Sequence, residues 1–163
     1  MNGIALTLRA LHHGERQLAK ELVVIAERHS TEHEIHHVAK DLVAWSNEHC
    51  LRVAEVADHY GLSLDGPSQK SASGLKPVTQ GATAEAAAHR PEPGFLLLRD
   101  LRDLHIGATG NSLYWEMLAQ AGQAAKDTRL LELAASCHPQ TLRQMRWTNT
   151  MIKNLSPQVI TSL

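Results

Sequence analysis

Apolar residues recur at alternating steps of three and four positions along most of the 163-residue chain, which is the spacing of an amphipathic α-helix. The pattern predicts four helices, over residues 4–29, 31–60, 93–126 and 128–155. We find no pair of strand patterns and no internal repeat of about 20–50 residues. The chain is therefore expected to be all-α, with helices packed on helices.

Local signals indicate where these helices begin and end. Thr31 followed by Glu34 has the spacing of a capping box, which predicts the start of the second helix. Gly61 suits the left-handed conformation that closes this helix. Pro93 suits the first turn of the third helix, and Asp127 suits the N-cap of the fourth.

Residues 61–92 join the second and third helices and are rich in Gly, Ser, Pro and Thr. An extended residue spans about 3.3 Å, so a connection of this length can return along the whole bundle. The short–long–short order of connections predicts a single-domain four-helix bundle with a crossover, in which the third helix runs parallel to the second. We expect residues 66–82 to be mobile, because their composition cannot bury much apolar surface.

Composition and charge argue against several classes of protein. The net charge of −1 gives no basic footprint for a nucleic acid. No stretch approaches the roughly 18 uninterrupted apolar residues of a membrane span, and the N-terminus does not have the pattern of a signal peptide. Two cysteines make no disulfide framework, which favours a reducing compartment. We therefore expect a cytoplasmic protein without a nucleic-acid or membrane partner.

Four polar residues occupy positions on the apolar stripes where a hydrophobic residue is expected. They are Glu15, His49, Glu116 and His138, one on each predicted helix. If the long connection crosses over, all four lie at one level, about 16 Å from the same end of the bundle. Two carboxylates and two imidazoles at one level predict a site for one divalent transition metal, which would be iron, manganese or zinc.

A metal-free arrangement accounts for the same four residues. A buried carboxylate must be satisfied either by a metal or by hydrogen bonds. Glu15 could bond to His49 and Glu116 to His138, which would give two buried polar pairs. Both alternatives remain open at the level of the sequence.

The helix layout and the inward Glu and His residues resemble those of the ferritin-like superfamily. The first half of the chain, GERQLAKELVVIAERHS and then EHCLRVAEVADHYG, is similar to the bacterial YciE/YciF-type stress proteins of that superfamily. The di-iron members of the superfamily carry a single Glu on helices one and three and a Glu-x-x-His motif on helices two and four. Glu15 and Glu116 match the two single glutamates. The resemblance implies a ferritin-like bundle.

The two Glu-x-x-His motifs are incomplete in this chain. Helix two reads Ser46-x-x-His49 and helix four reads Ala135-x-x-His138. Because both bridging carboxylates are absent, the resemblance implies at most one mid-bundle metal. The leading expectation is a cytoplasmic ferritin-like protein with a site degenerate relative to the di-iron enzymes and with a stress-related role.

Two other functions remain as alternatives. One is a metal-free oligomeric or scaffold bundle. The other is a di-iron or manganese oxidase or ferroxidase, which the missing glutamates disfavour, so we assign no catalytic residue. In every case we expect a homo-oligomer, most simply a dimer.

Two further groups of residues carry chemistry of their own. Cys50 and Cys137 each adjoin a histidine of the predicted layer, but buried cysteines are more often small apolar fillers than nucleophiles. Four histidines surround the first helix–helix turn: His29, His33, His36 and His37. We interpret this cluster as a solvated polar corner, with adventitious zinc or nickel binding as the alternative.

Overall fold

The computed structural model describes residues 2–65 and 92–162, and in these two ranges it contains four α-helices and no β-strand. The helices are α1 (Gly3–Arg28), α2 (His33–Asp58), α3 (Pro93–Ala125) and α4 (Thr128–Thr161). The predicted all-helical class is confirmed, although α4 continues beyond the expected end at residue 155. Among these described helices, none combines the length and the apolarity needed to cross a membrane.

Three of the predicted helix boundaries are confirmed. The Asp127 side chain accepts a hydrogen bond from the backbone N–H of Arg129 at 2.9 Å and so caps α4. Pro93 lies in the first turn of α3. Gly61 has φ of +74° just after α2, which is the left-handed conformation that favours glycine.

The capping box predicted at Thr31 is wrong. α2 begins at His33, and its N-cap residue, Glu32, makes no side-chain capping bond. The backbone N–H of Glu32 bonds to the carbonyl oxygen of His29 at 3.0 Å. The chain therefore makes a tight turn where the sequence predicted a first helical turn.

Each helix packs against two neighbours: α1 contacts α2 and α3, and α4 contacts the same two helices. Along every contact, residue numbers rise on one helix as they fall on the other, so all packed pairs are antiparallel. α2 and α3 therefore point in the same direction at opposite corners. Residues 66–91 lie outside the described residues, and the predicted crossover and the predicted mobility of residues 66–82 concern that segment.

The buried apolar residues form two clusters stacked along the bundle. One contains Ala5, Leu8, Leu11, Val53, Ala57, Leu62, Trp115, Leu118, Leu130, Leu133, Ala134 and Cys137. The other contains Leu18, Leu22, Ile25, Ala26, Ile35, Ala39, Leu42, Leu97, Leu101, Leu104, Ala108 and Met151. Between them lies a polar belt of buried residues: Glu15, Ser46, His49, Asn111, Ser112, Thr141 and Gln144.

On α1 and α2, the two polar residues that the sequence predicted to face the core do so. Glu15 and His49 have no exposed surface, as their stripes predicted. On α1, every stripe position from Leu8 to His29 is buried. These two helices therefore present their polar residues to the core as expected.

The predicted inward face of α3 is correct at Leu98 and Ala108, which are buried, and wrong by one position at Glu116. Trp115 is fully buried, and Glu116 faces outward. One residue rotates a side chain by about 100° around a helix. Burying the large indole removes far more apolar surface from water than burying a glutamate would, so packing favours the rotation that places Trp115 inside.

The predicted inward face of α4 is displaced by one position as well. His138 was expected to face inward, whereas its neighbour Cys137 is the buried residue, together with Leu130 on the same helical face before it. The two stripes have similar apolar content, so the contacts with neighbouring helices select between them. Gln144, which the sequence did not place inside, is buried because α2 offers it partners.

Candidate functional site

One residue from each helix meets at the middle of the bundle. Glu15 of α1, His49 of α2, Trp115 of α3 and Gln140 of α4 are joined by hydrogen bonds and form what we term the central layer. The first three have no exposed surface, and Gln140 is partly buried. The structure therefore contains a polar layer at the predicted level, with two of the four predicted residues in it.

A single carboxylate oxygen ties three helices together. His49 Nδ1 lies 3.1 Å from Glu15 Oε1. Trp115 Nε1 donates to the same oxygen at 3.3 Å. The indole and imidazole rings also meet edge to face, with centroids 5.7 Å apart. Trp115 thus donates to one oxygen of the carboxylate and packs against the His49 ring.

The other side of the His49 ring contacts the fourth helix. His49 Nε2 lies 2.8 Å from Gln140 Oε1. A ring that carries both protons donates to both oxygens; a neutral ring donates to Glu15 and accepts from the Gln140 amide once that amide is turned over. Both arrangements engage both ring nitrogens of His49, which leaves neither free for another ligand.

Several buried atoms of the polar belt have no hydrogen-bond partner among the described residues. They are Glu15 Oε2, Asn111 Nδ2, Thr141 Oγ1 and Gln144 Oε1. Buried polar groups are normally bonded to protein or to ordered water. The second oxygen of Glu15 is the costliest of these atoms, because a carboxylate loses more solvation on burial than a hydroxyl or an amide.

α4 also supplies polar partners on the side of the central layer toward its own C-terminus. Gln144 Nε2 donates to the backbone oxygen of Leu42 at 3.2 Å and to Ser46 Oγ at 2.9 Å. His105 Nδ1 lies 2.8 Å from Thr148 Oγ1. These bonds join α4 to α2 and to α3.

Glu116 and His138 lie outside the central layer, which corrects the predicted four-residue site. They face each other on the outside of the α3–α4 contact, with His138 Nδ1 3.9 Å from Glu116 Oε1. The Glu116 side chain is 59% exposed and that of His138 is 16% exposed. His138 Nε2 also lies 2.8 Å from Ser112 Oγ.

The reason is the rotation of α3 and α4. Trp115, one residue before Glu116, and Gln140, two residues after His138, occupy the positions that face Glu15 and His49. Glu15 therefore pairs with His49, and Glu116 pairs with His138, but the expected burial of the second pair is wrong.

The donor set of the central layer is smaller than a transition metal usually requires. Protein sites for zinc use three or four protein ligands. Glu15 and His49 supply one carboxylate and one imidazole as possible ligands. The indole of Trp115 donates a hydrogen bond and has no lone pair with which to bind a metal. Within residues 2–65 and 92–162, no group of three His, Cys, Asp or Glu side chains is arranged to hold a metal ion.

The two positions that lack the bridging glutamates of di-iron proteins differ in their orientation. Ser46 is buried and bonds to Gln144. Ala135 is exposed. A glutamate at Ala135 would therefore face solvent, so the Ala135-x-x-His138 spacing does not describe the inward face of α4.

The two thiols are protonated near neutral pH. Burial, with a further contribution from the Glu15 carboxylate, raises the pKa of Cys50 to about 12. Burial also raises the pKa of Cys137 to about 12. Neither cysteine is a thiolate nucleophile or a thiolate ligand at that pKa, which agrees with their interpretation as apolar fillers.

A second buried charged cluster lies at the other end of α1, and the sequence did not indicate it. Asp100 of α3 is only 6% exposed. Arg28 Nη1 donates to its two carboxylate oxygens at 2.8 and 2.9 Å, and His29 Nε2 lies 2.7 Å from Oδ2. Asp100 lies in the sequence LRDLRDL, whose alternating Arg and Asp residues alone indicate a solvated face with charge pairing. The available signal was His29 on the α1 stripe, which required a partner.

The other histidines of the first turn are mostly solvated. His33 and His37 are exposed and stack with ring centroids 6.2 Å apart. His36 Nδ1 lies 2.7 Å from the backbone oxygen of Ala26 and helps to join α1 to α2. The interpretation as a solvated corner therefore suits His33 and His37 and does not suit His29.

Comparisons of the chain with protein-family models, with curated proteins and with solved structures found no match.

Proposed function

We propose that the protein is a ferritin-like four-helix bundle with a long crossover between α2 and α3, and that it acts as an oligomeric scaffold whose central layer holds no metal. Support for the arrangement comes from two antiparallel hairpins with short connections, α1–α2 and α3–α4. The common direction of α2 and α3 is the one that a crossover produces. We include a cytoplasmic, stress-related role in the proposal because the sequence resembles the YciE/YciF-type stress proteins.

The observation that carries the proposal is that the central layer is closed on itself. Its hydrogen bonds run from Trp115 to Glu15, from Glu15 to His49 and from His49 to Gln140, so they connect all four helices. Sliding any helix by one turn would leave a buried carboxylate or imidazole without its partner, which is costly. The layer therefore supplies register and rigidity, and the outer surface is left to supply the interactions of a scaffold.

A single divalent metal is the second candidate, and one observation favours it. Glu15 Oε2 is buried and bonds to no described residue, so it is the one strong ligand atom in the layer that is not engaged. An iron, manganese or zinc ion there would have Glu15 as its protein ligand, with His49 only if the bond to Gln140 were exchanged for the metal.

Metal content and chelator response separate the two candidates. The protein is purified without a histidine tag, its iron, manganese and zinc are measured by mass spectrometry, and thermal melts are recorded with and without chelator. We expect far less than one metal ion per chain and the same melting midpoint in both melts.

Two matched glutamate variants make this test specific. Glu15→Gln removes the buried carboxylate, and Glu116→Gln removes the exposed one. A stoichiometric metal that is lost from Glu15→Gln and retained by Glu116→Gln would establish the second candidate and overturn the first. An oxidised di-iron absorption spectrum in the parent protein would instead revive the oxidase alternative.

The oligomeric part of the proposal has its own measurement. Sedimentation equilibrium over a wide concentration range should give a mass above that of one chain of 17.9 kDa. A monomer at every concentration would contradict the scaffold function, whatever the metal content.

A further inference from the structure

The outer face of α3 carries an apolar stripe that no other part of the described structure covers. Ile106, Leu113 and Met117 are 54%, 56% and 53% exposed. With Gly110 they are spaced by four, three and four residues, so they line one side of the helix over about three turns. Large apolar side chains at such exposure usually occur singly, and a contiguous row of them marks an interaction surface.

Gly110 lies at the middle of this stripe, and nothing within the described chain explains it. A side chain at Gly14 would collide with Asn111, and a Cβ at Gly122 would meet Leu130 at 3.1 Å, so those glycines allow close helix packing inside the bundle. A Cβ at Gly110 would meet nothing within 4 Å. A helix-interior glycine weakens its helix, so an exposed one suggests close approach of another helix from outside.

The charges at the two ends of the stripe identify its partner. Arg102 lies about 12 Å before Gly110 along the helix axis, and Glu116 lies about 9 Å after it, on the same side of the stripe. The Arg102 side chain is 69% exposed and the Glu116 side chain is 59% exposed. Among the described residues each pairs at the surface, Arg102 with Asp103 at 3.2 Å and Glu116 with His138 at 3.9 Å.

We propose that a second copy of the chain docks on the stripe of Ile106, Gly110, Leu113 and Met117, with the two α3 helices antiparallel and crossing at Gly110. A two-fold axis through this point places Ile106 of one copy near Leu113 of the other. It also brings Arg102 of one copy to Glu116 of the other at nearly the same height. A parallel pairing would instead oppose like charges, which is unfavourable.

This surface deepens the proposed oligomeric function and rests on it. The glycines permit the backbones to approach, the apolar residues supply buried area, and the charge pair selects the antiparallel direction. The bundle interior is unchanged by docking, because none of the six named residues of the contact belongs to the two apolar clusters.

The dissociation constant of the dimer tests the surface. Sedimentation velocity and light scattering are applied to the full chain and to Gly110→Leu and Leu113→Glu. Gly110→Leu fills the crossing point without touching the chain's own core, and Leu113→Glu places a charge in the apolar row. We expect each variant to raise the dissociation constant by at least about 30-fold, the effect of losing one interface hot spot.

A matched variant controls for general effects on folding and solubility. Leu51→Glu changes a leucine on α2 that is 54% exposed, close to the 56% exposure of Leu113 on α3. It should leave the dissociation constant within about twofold of the parent value. Circular dichroism of every variant shows whether the bundle is intact, and Leu113→Glu gives an independent measurement if Gly110→Leu does not fold.

A charge exchange tests the antiparallel direction. Arg102→Glu alone and Glu116→Arg alone should each weaken the dimer about 3- to 10-fold, and the double variant should recover most of that loss. Failure of the double variant to recover would overturn the antiparallel crossing.

The outcomes separate this surface from the proposed function. A dimer that is unaffected by Gly110→Leu and Leu113→Glu overturns the surface and leaves the oligomeric scaffold standing. A parent protein that is monomeric at all concentrations overturns both. Loss of the dimer in both α3 variants, with Leu51→Glu unchanged, supports the surface whatever the metal content of the central layer.

Discussion

Two Glu–His pairs among the described residues lie at nearly the same level, and they differ mainly in their surroundings. Glu15 and His49 are 3.1 Å apart with side chains that are 0% and 1% exposed. Glu116 and His138 are 3.9 Å apart, with 59% and 16% exposed. The same two residue types therefore make a register-fixing contact in one place and a surface contact in the other.

The difference indicates that burial, and not residue type, determines how much stability is lost when a polar pair is broken. Water competes for an exposed pair, so breaking it costs little. In the core, removing one partner leaves the other desolvated and unpaired, which is far more costly than the net value of the intact pair. The following predictions test this contrast, beginning with the largest expected effect.

Replacing His49 with leucine should produce the largest loss. The carboxylate of Glu15 would lose its main partner in a fully buried position, and we expect the free energy of unfolding to fall by about 3–5 kcal/mol. Urea melts followed by circular dichroism measure this loss.

The double variant Glu15→Leu with His49→Leu is the control. A pair of apolar residues should recover most of the stability, because no buried charge remains. Two results would contradict this prediction: a His49→Leu variant as stable as the parent, or a double variant no more stable than His49→Leu.

Replacing Gln140 with leucine removes the second partner of the His49 ring. His49 Nε2 would keep its buried position without a bond, so we expect a loss of about 1–3 kcal/mol. Gln120→Leu, an exposed glutamine-to-leucine change on α3, is the matched control and should be nearly neutral. Equal losses in the two variants would argue against a specific contact to His49.

Replacing Asp127 with alanine tests a partly exposed pair that lies between the two extremes. Asp127 caps α4 and accepts a hydrogen bond from the Tyr60 hydroxyl. We expect a loss of about 1 kcal/mol, mainly from the lost cap. Asp41→Ala, which changes an exposed aspartate inside α2, should change stability by less than half as much.

The same pair predicts a pH dependence. The hydroxyl of Tyr60 and the backbone N–H groups at the start of α4 hold the pKa of Asp127 below its usual range. Because the folded pKa is lower than the unfolded value of about 3.9, the stabilisation is present above that pH and disappears as the pH falls through the folded pKa. Tyr60→Phe should raise the pKa of Asp127 in an NMR titration; an unchanged titration would refute the assigned cause.

Replacing Glu116 with alanine should have the smallest effect. Its pair with His138 is exposed and long, so we expect a loss of at most about 0.5 kcal/mol, further reduced by added salt. Urea melts at low and high salt measure it. A loss comparable to that of His49→Leu would show that the two pairs are energetically alike and would remove the contrast.

The inward faces of α1 and α3 show how far the sequence could define the candidate site. On α1 the stripe around Glu15 is flanked by leucines at each neighbouring turn, and only one rotation of the helix buries them all. On α3, both Trp115 and its neighbour Glu116 fit the helical spacing of the apolar residues that precede them. A choice between adjacent positions changes the facing direction by about 100°, which decides whether a residue belongs to the site.

Four helices, most of their ends, and the burial of Glu15 and His49 were determined by the sequence alone, because helical periodicity and capping are local properties. The tertiary structure decided the rotation of α3 and α4. That rotation depends on how the Trp115 indole fits between helices and on which side chains find partners across them, such as Gln140 with His49. These are contacts between residues about 90 to 100 positions apart in the chain, and no local pattern encodes them.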